Sequence, residues 1–363
     1  MRRKDMKKFL VLALVLCIAA VLAVGCAGEN KSSPTVAESQ SPAAASEGIS
    51  PSAASEDISP SAASEDISPS APSSTTIASV DKDKIFVNAD WLNSLIDGEQ
   101  PQSDNYIILS VAWGEPTNEY LAAHIPGAIH FNTDLIEEEV YWNIRSPEEI
   151  AQVMKDFGVT KDTTLVAYGN SIAATRVAFT AFWAGVDEVH VLDGDFEAWE
   201  NAGYETESGN NEPTPTELDF GVQIPARPQY LQQWPSEVIA AQQDDNYRLV
   251  SIRSWEEFIG ETSGYSYIDR AGEPAGAVWG HDDADYYNAD GTIKDIAEVE
   301  AMLAEWDVTK DNKVAFYCGT GWRATLPFFI CYENGWDNVM LYDGGWFVWQ
   351  MDESLPVQIG DPR

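Results

Sequence analysis

The residues whose types and spacing point to covalent chemistry lie between Val314 and Thr325, in the stretch VAFYCGTGWRAT. Cys318 is the candidate nucleophile. Ahead of it, Val314-Ala315-Phe316-Tyr317 is an apolar and aromatic run that reads as a buried strand. After it, Gly319, Thr320, Gly321, Trp322 and Arg323 form a glycine-bearing loop, and a helical run begins near Ala324 with Pro327 in its first turn. Loop N–H groups and a helix N-terminus favour negative charge, so this context favours the nucleophilic thiolate over the thiol. Arg323 adds a fixed cation for an anionic substrate. The competing reading of any lone cysteine is a small core residue. That reading suits Cys331, thirteen residues further on and inside the predicted helix. The chain has no Cys/His cluster with zinc spacing and no glycine-rich phosphate loop, so the chemistry calls for neither a metal nor an organic cofactor.

The stretch resembles the active-site loop of the rhodanese-type sulfurtransferases, Cys-x-x-Gly-x-Arg between strand and helix. Cys318, Gly321 and Arg323 stand at the matching positions. Asp343-Gly344-Gly345-Trp346, followed by Trp349, is similar to the family's Asp-Gly-Gly segment, and His124-Ile125-Pro126-Gly127-Ala128 matches its other common signature. The resemblance implies an α/β fold in tandem copies and a cysteine persulfide on Cys318. Sulfane sulfur would pass from thiosulfate or a similar small anionic donor to a thiophilic acceptor such as cyanide or a thiol. Two alternatives stay open. One is 3-mercaptopyruvate as donor, with which Cys318-Gly319-Thr320-Gly321 is compatible and against which Arg323 leans. The other is a sulfur-carrier or binding lipoprotein that does not turn over. The resemblance also implies a substrate contact for Arg253, although Ser251 replaces the family's Asp in that strand. The rival for Arg253 is an ion pair with Glu256 or Glu257. Glu273 stands where a basic residue is common. Four residues separate Cys318 from Arg323, one fewer than in related phosphatase loops. A ring that small suits one transferred sulfur atom and crowds a phosphoryl group.

The elements that must position the loop are set by an internal repeat. Val159-Thr160-Lys161-Asp162 recurs as Val308-Thr309-Lys310-Asp311, Gly127-Ala128 as Gly276-Ala277, and Asp193-Gly194 with Trp199 as Asp343-Gly344 with Trp349. Strand and helix patterns alternate within each copy, which predicts two mainly parallel sheets, each with helices on both faces. The expected boundaries are residues 81–205 for the first domain, 206–228 for a linker and 229–363 for the second, catalytic domain. Gly169 falls where the second copy has Cys318, so the first copy reads as a structural partner. The second copy carries an insert around Gly260–Arg270 that could overhang the site. His281, among acids, reads as a turn residue more than a site residue.

Met1–Lys8 is basic, Phe9–Val24 is apolar except for Cys17, and small residues precede Cys26. This pattern reads as a lipoprotein signal over residues 1–25, with Cys26 the lipidated first residue on the extracytoplasmic face of a bacterial membrane. Residues 26–80 carry a nine-residue Ser/Pro/Ala/Glu repeat that cannot bury enough apolar surface to fold, so it reads as a disordered tether. The formal net charge is −38, and −42 once Met1–Gly25 is removed. Such a balance argues against nucleic acid as a partner. It also repels an anionic donor unless the site is locally positive. Arg248, Arg253, Arg270 and Arg323 are the cations expected around the loop. Oligomeric state is not readable from the sequence.

Overall fold

The computed structural model describes residues 84–169 and 171–363, and all of them belong to one compact unit. The expected signal, Cys26 and the repeat tether lie outside the described residues.

Two five-stranded parallel sheets make up the body. In the first, β1 (Phe86–Val87), β2 (Tyr106–Ala112), β3 (Ile129–Asn132), β4 (Thr164–Tyr168) and β5 (Glu188–Leu192) lie in the order β1-β5-β4-β2-β3. In the second, β6 (Leu231–Gln232), β7 (Tyr247–Ser251), β9 (Ala277–Trp279), β10 (Lys313–Tyr317) and β11 (Val339–Tyr342) lie in the equivalent order β6-β11-β10-β7-β9. A short antiparallel pair, β8 (Glu273–Pro274) with β12 (Val357–Gln358), is added to the second copy. The registers agree as well: Tyr168 pairs with Ser110 in the first sheet and Tyr317 with Ser251 in the second. The middle strands are buried apart from Lys313 at the start of β10. Thr164–Tyr168 and Val314–Tyr317 have no exposed residue, as expected of parallel strands covered on both faces.

Local signals start the helices. Ser146 caps the helix Pro147–Asp156 and exchanges hydrogen bonds with Glu149 in a capping box, with proline at the first helical position. The helix Pro235–Ala241 also opens on proline. The segment expected as a linker packs back on the first copy. Thr216 N–H donates to the Lys155 carbonyl, Lys161 N–H to that of Phe220, and Glu207 pairs with His124.

The two copies are fused through equivalent helices. Ser171–Ala184 lies against Thr325–Glu333, with Phe179 edge-on to Phe328 at 4.9 Å and Phe182 edge-on to Tyr332 at 4.9 Å. The Thr325 hydroxyl donates to that of Thr175 at 2.8 Å across the junction. Buried apolar residues of both copies form one contiguous cluster, so the second copy is held by the first rather than tethered to it. Cys331 is fully buried inside this junction helix, where burial pushes its thiol well above the ordinary range.

Candidate active site

β10 ends at Tyr317 and the next helix starts at Thr325, so seven residues, Cys318 to Ala324, carry the chain over the end of the central strand. The loop's shape depends on two glycines. At Gly321 φ is +83°, and a side chain would put its Cβ 2.6 Å from the Asp343 carboxylate. At Gly319 a Cβ would fall 2.4 Å from the Tyr265 ring. From below, the Gly344-Gly345-Trp346 turn holds the loop: Trp346 N–H donates to the Cys318 carbonyl and Phe347 N–H to the Gly319 carbonyl, both at 2.9 Å. A trans peptide is planar with its N–H opposed to its C=O. The N–H groups of Gly319 and Thr320 therefore face away from that turn. Among the described residues, the amides from Gly319 to Ala324 donate to no protein acceptor. The loop thus presents a run of free N–H groups around a buried, free cysteine, an arrangement suited to an anion and to charge developing on sulfur.

Cys318 opens into a cavity of about 790 Å³. Thr320, Trp322, Arg323 and Glu257 come from the second copy, and the insert supplies Gly264, Tyr265 and Tyr267. The first copy provides the facing wall through Trp113, Asp134, Glu137, Glu138, Glu139, Trp142, Arg145 and Ile172. It also reaches under the loop. Arg176, fully buried, donates to the Asp343 carboxylate at 2.5 Å, to Glu137 at 3.1 Å and to the Trp142 carbonyl at 3.2 Å. Glu137 in turn accepts the indole N–H of Trp322. Burial drives the Glu137 carboxyl up to about 7 despite the Arg176 charge beside it. Among the described residues no group of His, Cys, Asp and Glu is placed to hold a metal ion.

The structure brings Cys318, Thr320, Trp322 and Arg323 to one cavity, with Gly319 and Gly321 as the loop's bends. It does not bring Arg253 there. That guanidinium is fully buried and donates to Glu273 at 2.7 Å, Glu257 at 3.3 Å and the Gly272 and Ser263 carbonyls. Those contacts correspond to the ion-pair alternative, with Glu257 as a partner. Glu273, which accepts from Tyr317, Arg253 and Ser251, is buried outside the cavity lining, and burial pushes its carboxyl up to about 7. Arg248 and Arg270 are not lining residues either, so of the four expected cations only Arg323 is present. Arg323 is itself engaged, with Glu257 at 2.9 and 3.0 Å, Asp282 at 3.2 Å and the Tyr265 hydroxyl. The positive charge that Arg323 brings to the cavity is therefore offset by Glu257 and Asp282. His281 stacks on Trp279 at 4.2 Å, outside the lining.

Reading the first copy as a structural partner missed Glu137, Trp142 and Arg176. The run Glu137-Glu138-Glu139-Val140-Tyr141-Trp142 carried a signal, an acidic and aromatic cluster in an irregular segment. Trp142 has φ +58°, uncommon for a bulky side chain.

A profile of the rhodanese-like domain matches residues 88–202 and 235–352. The chain is similar to thiosulfate sulfurtransferase YnjE of Escherichia coli (strain K12), 42% identical over 283 residues, covering 75% of this chain and 64% of YnjE. The crystal structure of YnjE superposes with a TM-score of 0.73 at 40% identity, over 76% of this chain and 68% of that one. The 3-mercaptopyruvate sulfurtransferase of Escherichia coli (strain K12) is 26% identical over 75% of this chain and 97% of its own length. A structure of an EanB variant described as a cysteine persulfide in a tetrahedral intermediate state with ergothioneine aligns at 34% identity and TM-score 0.73, over 76% of this chain and 71% of that one. With both of its repeated units matched, the chain belongs to the rhodanese-like domain family and carries two such domains in tandem.

Proposed function

We propose that the protein is a sulfurtransferase that moves sulfane sulfur from thiosulfate or a similar donor through a persulfide on Cys318. The carrying observation is the run of unpartnered N–H groups from Gly319 to Ala324 around a free cysteine that opens into a cavity. The Cys318 thiolate attacks the outer sulfur of the donor. The donor S–S bond breaks, sulfite leaves with the electron pair, and the loop amides hold the charge on the new terminal sulfur. Arg323 lines the same cavity, and its guanidinium has the charge that favours the departing anion. A thiophilic acceptor then attacks the terminal sulfur, and the electron pair of the persulfide bond returns to Cys318. The persulfide in the EanB structure and the activity named for YnjE support this reading.

Initial rates with thiosulfate and cyanide test it. Parallel double-reciprocal lines and loss of turnover in Cys318→Ser are expected, and sustained turnover in a folded Cys318→Ser protein would overturn the mechanism. Loading once without turnover would favour the sulfur-carrier reading. The same assay with 3-mercaptopyruvate decides between the donors.

We propose further that Cys26 is lipidated and holds the protein at the extracytoplasmic face of a bacterial membrane. The basic start, the apolar run and the small residues before Cys26 support this. Intact mass of the membrane-associated protein should show a lipidated chain beginning at Cys26. An unmodified Cys26, or unchanged membrane association of Cys26→Ser, contradicts it.

A further inference from the structure

We propose that the acceptor side of this cavity is built for an organic cation, a thiol that carries an ammonium group and takes sulfur from Cys318. The inference rests on the persulfide reading above and concerns which acceptor that persulfide meets.

Charge comes first. Five carboxylates line the cavity, Asp134, Glu137, Glu138, Glu139 and Glu257, against two guanidiniums. Both guanidiniums are already engaged. Arg323 is clamped by Glu257 and Asp282, and Arg145 donates to Glu149 at 3.2 Å and to the Asp134 carbonyl at 3.1 Å. Of the first domain's carboxylates, Glu137 is paired with Arg176, but the other three are not neutralised in return. Asp134 accepts the Trp113 indole N–H at 2.8 Å, and Glu138 accepts from the Val140 and Tyr141 amides. Among the described residues, Asp134, Glu138 and Glu139 form no ion pair, and Glu139 has no hydrogen-bond partner. A wall with this balance attracts cations and repels anions.

Shape and surface agree. Aromatic faces stand on both sides of the cavity. The Trp113 indole is 76% exposed at the cavity edge, and Tyr267, 42% exposed, meets Trp142 edge-on at 4.5 Å. Indole and phenol faces attract ammonium groups. A volume of about 790 Å³ is far larger than cyanide needs and accommodates an organic molecule. The two ends of the cavity thus differ. The free amides at Cys318 suit the anionic sulfur, whereas the first domain's wall suits a cation.

The transfer balances without a further reagent. The acceptor thiolate attacks the outer sulfur of the Cys318 persulfide and forms a new S–S bond. The persulfide bond breaks, its electron pair returns to Cys318 as thiolate, and the product leaves as the acceptor's persulfide. The acceptor's ammonium group takes no part in bond making.

Three thiols of one skeleton, HS–CH₂–CH₂–X, test this, with X as trimethylammonium, hydroxyl or sulfonate. The full chain is loaded with thiosulfate, and loss of sulfur from Cys318 is followed by mass at equal thiolate concentrations. The ammonium thiol should discharge the persulfide fastest and the sulfonate slowest, at least about tenfold apart at low ionic strength and converging with added salt. Asp134→Asn/Glu139→Gln should shrink the cation-to-anion ratio. The equal charge change at Glu298→Gln/Glu353→Gln, outside the lining, should not. Equal rates for the three thiols, a faster sulfonate, or equal ratios in the two double variants would overturn the proposal. If Cys318 never gains sulfur, the persulfide reading fails first, and that failure is visible before any acceptor is added.

Discussion

The two copies use one stretch of chain in two ways. In the first, a strand of five residues (Thr164–Tyr168) and a helix of 14 (Ser171–Ala184) are separated by two residues. In the second, a strand of five (Lys313–Tyr317) and a helix of nine (Thr325–Glu333) are separated by seven. The overall length is the same. The second copy has converted the first turns of a helix into a loop, and Cys318 begins it. Gly169 shows why no thiol could serve in the first copy. Its φ is +108°, a Cβ there would lie 2.3 Å from the Val111 carbonyl oxygen, and its N–H is already taken by the Asp195 carboxylate at 2.7 Å. Where the second copy leaves amides free for an anion, the first satisfies its amide with a carboxylate of its own. The first copy's contribution is instead made from outside, as the cavity wall and as Arg176 beneath the loop.

That division of labour can be broken most severely at Arg176. Arg176→Leu removes the partner of Asp343, which would stay buried without its counter-charge. A loss of about 3–5 kcal/mol is expected for breaking such a pair, read as a lower denaturant midpoint. Unchanged stability would mean that the first copy does not hold the loop. In the double variant Arg176→Leu/Asp343→Asn, part of the loss should be restored, because no charge is then stranded.

Arg323→Ala probes the second copy's own cation. Losing a charge-assisted contact costs about 1.5–3 kcal/mol, or roughly ten- to hundredfold in the donor's kcat/KM. An unchanged donor kcat/KM would show that Arg323 serves only Glu257 and Tyr265.

Gly169→Cys asks whether the first copy can be given a nucleophile. Strain at that backbone conformation should cost about 1–3 kcal/mol, and the new thiol should take up no sulfur from thiosulfate. Sulfur on that thiol would mean that the two loops are closer in design than their lengths indicate.

The smallest effect is the pH response of the junction. Burial raises the Glu137 carboxyl to about 7, against Arg176 and the Trp322 N–H, which favour its ionised form, with Asp343 opposing ionisation. The folded state therefore holds this proton more tightly than the unfolded chain. Its stabilising contribution is full below about 4.5, the ordinary value, and is lost as pH rises through about 7. The stability difference between the unmodified protein and Glu137→Gln should shift against the unmodified protein between pH 5 and pH 8. A pH-independent difference would place this carboxyl at its ordinary value.

What the sequence revealed and what it hid follow the range of the contacts involved. Cys318, Gly321 and Arg323 were legible because a strand end, a left-handed glycine and a helix start lie within a dozen residues. The tandem sheets were legible because the repeated segments keep their spacing. Glu137 and Trp142 were not, because they meet Trp322 and Tyr267 only after two domains have docked through Phe179, Phe182, Phe328 and Tyr332. Arg253 shows the opposite failure. Its place in a familiar strand pointed to substrate, yet burial between Glu273 and Glu257 decided its contacts. The overall charge did not show which side chains make the cavity acidic, because pairing of individual side chains is a tertiary property.

The most direct test of the site is to find the atom that carries the sulfur. The protein is incubated with thiosulfate, digested without reductant, and the peptides bearing Cys318 and Cys331 are weighed. A gain of about 32 Da on the Cys318 peptide alone is the expected result, with none in Cys318→Ser. Sulfur on Cys331, or turnover with no sulfur found on Cys318, would contradict a mechanism centred on this loop.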